Sequence, residues 1–369
     1  MRIIHFHPDA RMAMIFIAPL IDAERRAGMQ SELVFSSVQN SGIEGTSIQF
    51  DLSGPNLLGL PLTLWRIWRY LKRRRPDVMF SHNTKSSLIP LLGAWLAGVH
   101  VRVYFNHGVP YVGYQGILRV MLRALEQCNS ALATHVVTVS EDMKMLLQEV
   151  SPRITPQLVH NGSASGIDLK KLSPECYSRT GWRQTLGLLE NDQIVVYVGR
   201  PERRKGFELV LRLWRDHFHD ENIKLLMCGP GPDDVLRYLT ALPSNIIPLG
   251  FVHNVPEVLS GSDLMILPSL HEGLSYACME AQAVGTVVIA NDISGIRCII
   301  KHRISGLLVL NNEPFQYAKV IREILINKSL LATIQQQAKL SVQKYSREAF
   351  IPAYLSFLQT LLTADSCKK

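Results

Sequence analysis

Cysteine is sparse in this 369-residue chain and nowhere clustered. Cys128, Cys176, Cys228, Cys278, Cys298 and Cys367 lie far apart, and no Cys-x-x-Cys occurs. That spacing argues against a disulfide framework and a zinc ribbon, and fits core thiols in a reducing compartment. Long hydrophobic runs are also missing. The nearest approach, residues 87–105, contains Pro90, Gly93, Gly98, His100 and Arg102, so it reads as a buried helix followed by a strand. A signal peptide does not fit the N-terminus, because His5, His7, Asp9 and Arg11 precede the apolar run 13–21. Repeats of solenoid period and low-complexity tracts are absent. Charged residues make up only 19% against 47% hydrophobic, which excludes global disorder and allows a large core.

What charge there is lies unevenly. Residues 1–180 hold 19 Lys/Arg against 13 Asp/Glu, a balance of +6, whereas 181–369 hold 20 against 18, a balance of +2. A basic first half implies an acidic partner: nucleic acid, anionic lipid or a phosphorylated substrate. The length suggests two domains.

Short β-branched runs alternate with helical stretches. Strands are expected at 2–7, 31–36, 77–80, 101–105 and 135–139, and helices at 13–27, 62–74, 85–97, 117–131 and 141–149. Residues 151–180, dense in Ser, Pro, Gly and Asn, read as a linker. The alternation then restarts, with strands at 194–198, 223–228, 246–249, 264–267, 287–290 and 306–309. Helices are expected between them at 207–218, 235–241, 255–260 and 276–283, and at 314–345 and 347–363. The pattern predicts an α/β protein of two doubly wound parallel-sheet domains, 1–175 and 185–346, facing a central cleft. The terminal helix, about 347–369, is expected to pack back on the first domain. In such sheets ligands sit beyond the carboxyl ends of the strands, so the loops there carry the chemistry.

Gly199-Arg200-Pro201-Glu202-Arg203-Arg204-Lys205-Gly206 follows one strand and precedes a helix. Arg200 offers a planar fork for phosphate oxygens and Lys205 a point charge, although the run also reads as a solvated basic turn. Ser269-Leu270-His271-Glu272-Gly273-Leu274-Ser275 opens a helix containing Glu280. Its amides at 273–275 suit a phosphate, and Glu272 and Glu280 suit hydroxyls about 9 Å apart along the axis if Leu274 starts the helix. A capping carboxylate plus a surface glutamate is the plain alternative. Cys228-Gly229-Pro230-Gly231-Pro232-Asp233 lacks the third glycine of a dinucleotide fingerprint and reads as a tight turn bordering the cleft. Asn106-His107-Gly108 places a histidine at a strand's carboxyl end, as a ligand contact or an ordinary turn residue. His5 and His7 share a strand face without an evident third metal ligand. Residues 62–75 form an amphipathic basic helix with Trp65 and Trp68 among Arg66, Arg69, Lys72, Arg73, Arg74 and Arg75. The segment 117–125, with Arg119 and Arg123, is a second such element. Core packing with a solvated basic end is the plain alternative for residues 62–75, but both elements lie in the basic half, which favours an anionic membrane surface or a diphosphate lipid.

Together these loops resemble the family 4 glycosyltransferases of the two-domain GT-B fold. The likeness rests on Gly199-Arg200…Lys205-Gly206 and on Glu272 and Glu280, seven residues between them. Pro268-Ser269, Asp263, Ser294-Gly295-Ile296 and Gly306-Leu307-Leu308-Val309 support it. His107-Gly108, Val139-Ser140-Glu141 and Asn161-Gly162-Ser163…Gly166-Ile167-Asp168 resemble the branch that builds bacterial capsule and O-antigen repeats. The resemblance implies a retaining transferase, moving a hexosyl or N-acetylhexosaminyl group from a nucleotide-sugar (a UDP-sugar) to a polyprenyl-diphosphate-linked glycan. It implies that Arg200 and Lys205 hold the donor diphosphate, with Gly229 at its edge. Glu272 and the amides of Gly273, Leu274 and Ser275 would grip the sugar and distal phosphate. Glu280 would bind the ribose, and His107 would face the reacting sugar. No metal or other cofactor is expected. The enzyme would be cytoplasmic, peripheral on the inner face of the cell membrane. His7-Pro8-Asp9-Ala10-Arg11 departs from the family's glycine-rich first loop. A nucleotide-sugar epimerase of the same fold and a non-catalytic basic binding protein are the alternatives. Nucleic acid is not expected as a partner, since no reading motif is present.

Overall fold

The computed structural model describes residues 1–35, 46–47, 59–219, 222–310 and 312–366, with the side chains of Arg11, Thr46, Ser47 and 362–366 left aside. Cys367 and the last residues of the expected terminal helix lie outside them. The chain divides into two compact units, Met1–Gly166 with Arg347–Lys369, and Ile167–Ser346.

In the first unit the order is β1 (Arg2–His7), α1 (Ala10–Phe16), α2 (Ala18–Arg26), β2 (Gln30–Phe35), β3 (Thr46–Ser47), α3 (Leu60–Arg74) and β4 (Val78–His82). There follow α4 (Thr84–Ala97), β5 (Val101–Asn106), α5 (Gly116–Leu132), β6 (His135–Thr138), α6 (Glu141–Val150) and β7 (Gln157–Leu158). The strands form one sheet in the order β3-β2-β1-β4-β5-β6-β7. Every pair within it is parallel. Residues 2–7 and 78–82 are almost wholly buried, as strands covered on both faces must be.

The second unit runs α7 (Arg179–Thr185), β8 (Gln193–Val198), α8 (Phe207–Leu213), β9 (Ile223–Cys228), α9 (Pro232–Leu236), β10 (Ile246–Gly250) and α10 (Val255–Gly261). It continues through β11 (Leu264–Leu267), α11 (Tyr276–Val284), β12 (Val287–Asn291), β13 (Leu307–Val309), α12 (Pro314–Ile326) and α13 (Lys328–Val342). Its sheet, also parallel, is ordered β10-β9-β8-β11-β12-β13. The core joins Val195, Leu225, Ile266 and Ile289 of the strands to Phe207, Trp214 and Phe218. In each sheet the order reverses beside its first strand, between β1 and β4 and between β8 and β11. Ligand sites form at such reversals, because the loops on either side diverge to opposite faces.

Several local expectations needed correction. The helix expected at 13–27 is two helices broken at Ile17, because Pro19 in the first turn of α2 has no N–H to continue the ladder. The stretch 314–345 is broken at Asn327, whose Oδ1 accepts from Leu330 N and starts α13. The helix expected at 235–241 is the shorter α9, and α8 passes into a π-helical turn at Trp214–Phe218. The supposed linker contributes β7 to the first sheet and α7 to the second unit. Ile167 N–H donates to Tyr345 O at 2.9 Å, which ties the start of that segment to the second unit. The final helix α14 (Arg347–Ser366) belongs with the first unit, where the Tyr354 hydroxyl donates to Glu24 of α2.

Candidate active site

In the second unit, four loops converge at the carboxyl ends of β8, β9, β11 and β12, and two glycines show how. Gly229, after β9, has φ +116°, and a Cβ there would lie 2.1 Å from the carbonyl oxygen of Gly199, after β8. Gly295, after β12, has φ +81°, and its Cβ would lie 2.4 Å from Glu272 O and 2.6 Å from Gly273 O, after β11. Any side chain would push these loops apart. Gly229 thus acts as a spacer-free contact under the Arg200 loop.

Between the β8 and β11 loops the close approach is at Gly206, with φ +74° and a Cβ that would lie 2.3 Å from Pro268 O, and Leu270 N–H donates to Arg204 O at 2.9 Å, which brings Lys205 and Glu272 together. Lys205 Nζ donates to Glu272 Oε1 at 2.6 Å, across the reversal between β8 and β11, with both side chains mostly shielded from solvent. Arg200 is exposed and pairs with Glu202, Nη1 to Oε1 at 3.0 Å. Arg204 reaches the other Glu202 oxygen at 3.7 Å. The Tyr197 hydroxyl donates to Arg200 O at 2.9 Å and anchors the loop from below. Leu274 and Ser275 are buried, and the Ser275 hydroxyl caps α11 by accepting from Cys278 N. The helix therefore starts at Tyr276 and not at Leu274, so Glu280 lies only about 6 Å along the axis from its first residue. Glu280 has no hydrogen-bond partner among the described residues, and burial pushes its carboxyl up to about 7. His271, between Leu270 and Glu272, is buried and pushed down to about 4 by that burial. The sequence reading gave His271 no role. Asp263, noted as a family feature, serves structure: it receives Arg179 at 2.5 Å, the buried Arg183 at 3.1 Å and Ile194 N at 2.8 Å.

In the first unit His107 follows β5. Asn106, fully buried, accepts Gly108 N on its Oδ1 at 2.8 Å and so shapes the turn. Behind it Glu126 accepts from Thr84 and Tyr104, both at 2.7 Å, and from Asn106 at 3.3 Å. Burial raises Glu126 to about 7 against the pull of those donors. His107 is partly buried. Its Nε2 lies 2.9 Å from Nδ1 of His82, at the end of β4. His82 Nε2 lies 3.1 Å from His5 Nδ1, and His5 Nε2 lies 3.1 Å from Glu24. The sequence reading named His5 and His107 but neither His82 nor Glu24. Burial holds His107 down at about 3, with the His7 ring adding to it. His7 itself is lowered to about 4 by burial and bridges Asp9 O and the Asn83 side chain. The rings of His5, His82 and His107 are strung in a line. Among the described residues no group of three or more His, Cys, Asp or Glu is arranged around a point that would hold a metal ion.

The basic helices divide differently from the expectation. In α3, Thr63, Ile67 and Leu71 face the core, while Leu62, Trp65 and Arg69 are exposed, with the Arg69 guanidinium 5.1 Å from the Trp65 ring centroid. Arg74 is engaged by Glu32 at 3.3 Å, Arg66 is partly buried, and Arg73 and Arg75 are exposed. Helix α5 is the more open element. Ile117, Val120 and Met121 are 80%, 66% and 62% exposed, with Arg119 and Arg123 among them. No helix among the described residues is long and apolar enough to cross a membrane.

Comparison with known proteins identifies the family. Residues 23–162 match the family model "Glycosyl transferase 4-like domain", and residues 178–341 match "Glycosyl transferases group 1". An Escherichia coli protein named UDP-Gal:alpha-D-GlcNAc-diphosphoundecaprenol alpha-1,3-galactosyltransferase is 24% identical over 73% of this chain and 71% of its own length. The Staphylococcus aureus capsular polysaccharide biosynthesis glycosyltransferase CapM is 22% identical over 80% of each chain. Anabaena HepE, solved in complex with UDP and glucose, superposes with a TM-score of 0.81 at 16% identity, covering 98% of this chain and 100% of that one. The epimerase alternative finds no support among these comparisons. The two models between them take in most of the chain, and with the parallel-sheet architecture they place this protein among the glycosyltransferases of family 4 type and GT-B fold.

Proposed function

We propose that this glycosyltransferase moves a sugar from a UDP-sugar to a saccharide carried on polyprenyl diphosphate, with retention of anomeric configuration, in bacterial surface-polysaccharide assembly. The observation that carries the reading is the Lys205–Glu272 pair. It sets a cation for the donor diphosphate 2.6 Å from a carboxylate suited to sugar hydroxyls. HepE's complex with UDP and glucose supports the donor class, and the E. coli enzyme's name supports the acceptor class.

In this reading Arg200 and Lys205 neutralise the diphosphate as the bond from the anomeric carbon to its phosphate oxygen breaks. The amides at 273–275 and the start of α11 meet the distal phosphate. Glu272 orients the sugar, Glu280 takes the ribose hydroxyls, and His107 faces the sugar. The acceptor hydroxyl forms the new bond to the anomeric carbon on the face being vacated, and its proton passes to the departing phosphate oxygen. The apolar and basic residues of α5 and the exposed edge of α3 rest on an anionic cytoplasmic membrane face, where the acceptor resides.

The test is transfer of radiolabel from a panel of UDP-sugars to membrane extracts. Arg200→Ala, Lys205→Ala and Glu272→Ala should each lose most of the transfer. Full transfer by all three refutes the site, and acceptor-free conversion of one UDP-sugar into another would favour an epimerase.

A further inference from the structure

Five buried or half-buried side chains, from four elements and the loop after β5 of the first unit, form one continuous hydrogen-bonded line. The Tyr354 hydroxyl of α14 donates to Glu24 of α2. Glu24 meets His5 Nε2 of β1 at 3.1 Å, His5 Nδ1 meets His82 Nε2 of β4 at 3.1 Å, and His82 Nδ1 meets His107 Nε2 at 2.9 Å. Tyr354, Glu24, His5 and His82 are essentially without solvent exposure. The rings are held flat by neighbours: His5 stacks on Phe80 at 4.7 Å, and His107 on Phe105 at 5.0 Å. The line ends at His107 Nδ1, the one ring nitrogen in it with no partner among the described residues.

We propose that Tyr354, Glu24, His5 and His82 are positioning residues that set which hydrogen-bonding partner His107 offers to a bound ligand. The inference rests on the reading that His107 faces the substrate. Its logic is proton counting. An ionised carboxylate only accepts, so His5 Nε2 carries a hydrogen toward Glu24. With three ring protons in the line, His5 Nδ1 must accept from His82 Nε2–H, and His82 Nδ1 from His107 Nε2–H. His107 Nδ1 is then a bare lone pair, suited to a ligand hydroxyl. A fourth proton, arriving at His107 Nδ1, reverses the line. The His107 Nε2–H bond breaks as His82 Nδ1–H forms, and the His82 Nε2–H bond breaks as His5 Nδ1–H forms. The positive charge comes to rest on His5 against Glu24, and His107 now presents an N–H donor, suited to a phosphate oxygen.

The surroundings favour that resting place. His107 and His82 are both disfavoured as cations by burial, and they face each other and His7. Burial works to raise Glu24, but the His5 ring and the donors His5 and Tyr354 overcome it and keep the carboxyl below its usual range. The titratable groups facing His5 are Glu24 and His82, with Tyr354 beyond Glu24. Those facing His107 are His82 and His7. A buried histidine on which a second proton is disfavoured thereby gains a place to send it.

The experiment is imidazole nitrogen NMR on the full, ligand-free chain across pH, for wild type, Glu24→Gln and His82→Gln. In wild type, the three rings should titrate with one shared midpoint. His5 should become doubly protonated while His82 and His107 stay neutral and exchange tautomer. Glu24→Gln should lower that midpoint by about one unit or more, and His82→Gln should abolish the change at His107. Independent midpoints, or a charge developing on His107, overturn the wire, and the wild-type titration decides this even where a variant fails to fold. Steady-state turnover of the UDP-sugar that the enzyme consumes is the second arm. Glu24→Gln should lower kcat at least about tenfold and move its pH limb, with KM changed less than about twofold. A coupled titration with unaltered kcat and pH limb supports the wire and refutes the placement of His107 at the substrate.

Discussion

Adding one methyl group at Gly295 tests whether loop interlocking builds the proposed donor site. Gly295 has φ +81°, so alanine there adopts the left-handed region at a cost of about 1–2 kcal/mol. Its Cβ would stand 2.4 Å from Glu272 O and 2.6 Å from Gly273 O. Ordinary contact needs about 3.5 Å, so the backbone carrying Glu272 must retreat by roughly 1 Å. Overpacking of that kind costs about 1–3 kcal/mol more. The combined loss, about 2–5 kcal/mol, should lower the unfolding midpoint of the second unit by roughly 5–13 °C. The larger effect should be on chemistry. A displacement of Glu272 by about 1 Å carries it away from Lys205 and from the sugar, and misplacement on that scale costs about 100-fold in rate. Gly28→Ala is the control, because Gly28 has φ +80° but no atom within 4 Å of the added carbon. It should lose stability by the conformational term alone and keep its kcat/KM. Thermal unfolding and the transfer assay read both. If Gly295→Ala retains wild-type kcat/KM, or Gly28→Ala loses as much of it, the interlock does not position the site.

Two further outcomes rest on charge. Glu280, at about 7, is largely protonated at about pH 6 and ionised at about pH 8. Ribose hydroxyls favour the ionised form, so binding releases a proton and UDP affinity should fall about tenfold from about pH 8 to about pH 6. Calorimetric titration should show that slope reduced in Glu280→Gln to the part due to the nucleotide's own phosphate. On the surface, Ile117→Asp with Val120→Asp should weaken binding to vesicles containing anionic lipid several-fold, and salt should weaken it in the wild type. Unchanged sedimentation with vesicles would remove α5 from the membrane contact.

The alternation of short buried strands and helices made both sheets legible. The loops carrying Arg200, Lys205, Glu272 and His107 were legible too, because each leaves the carboxyl end of a strand. Contacts between distant residues were not. His82, Glu24 and Tyr354 join His5 and His107 from positions far apart in the chain, and no local spacing announces them. One signal was present all the same. Leu20, Ile21 and Glu24 share the buried face of α2, so a carboxylate interrupts an apolar stripe at i+4 and i+3, where burial demands a partner. Expecting the 77–80 strand to stop short of His82 hid that partner's neighbour. The glycines were legible as turns but not as contacts, since Gly229 and Gly28 look alike until the carbonyl opposite one of them is placed. The break at Ile17 was readable from Pro19 alone, and the apolar periodicity across 13–27 outweighed it.

The uneven charge of the two halves takes on meaning when set against burial. The first unit's interior polar line is nearly neutral: three imidazoles, a tyrosine and one carboxylate, all largely shielded from water. Its excess of Lys and Arg therefore lies elsewhere, on the outer faces of α3 and α5, among exposed Trp65, Ile117, Val120 and Met121. Cations interleaved with exposed apolar side chains suit an extended anionic surface better than a single bound phosphate, because no geometry there converges on a point. The second unit does the reverse. Its net charge is small, yet Lys205 and Arg200 each stand against a carboxylate, Glu272 and Glu202, at 2.6 and 3.0 Å. A pre-paired cation holds its loop in place without a ligand, and a diphosphate must then compete with that carboxylate for it. In the proposed role of these cations at a donor diphosphate, that competition trades tight grip for release of the departing nucleotide.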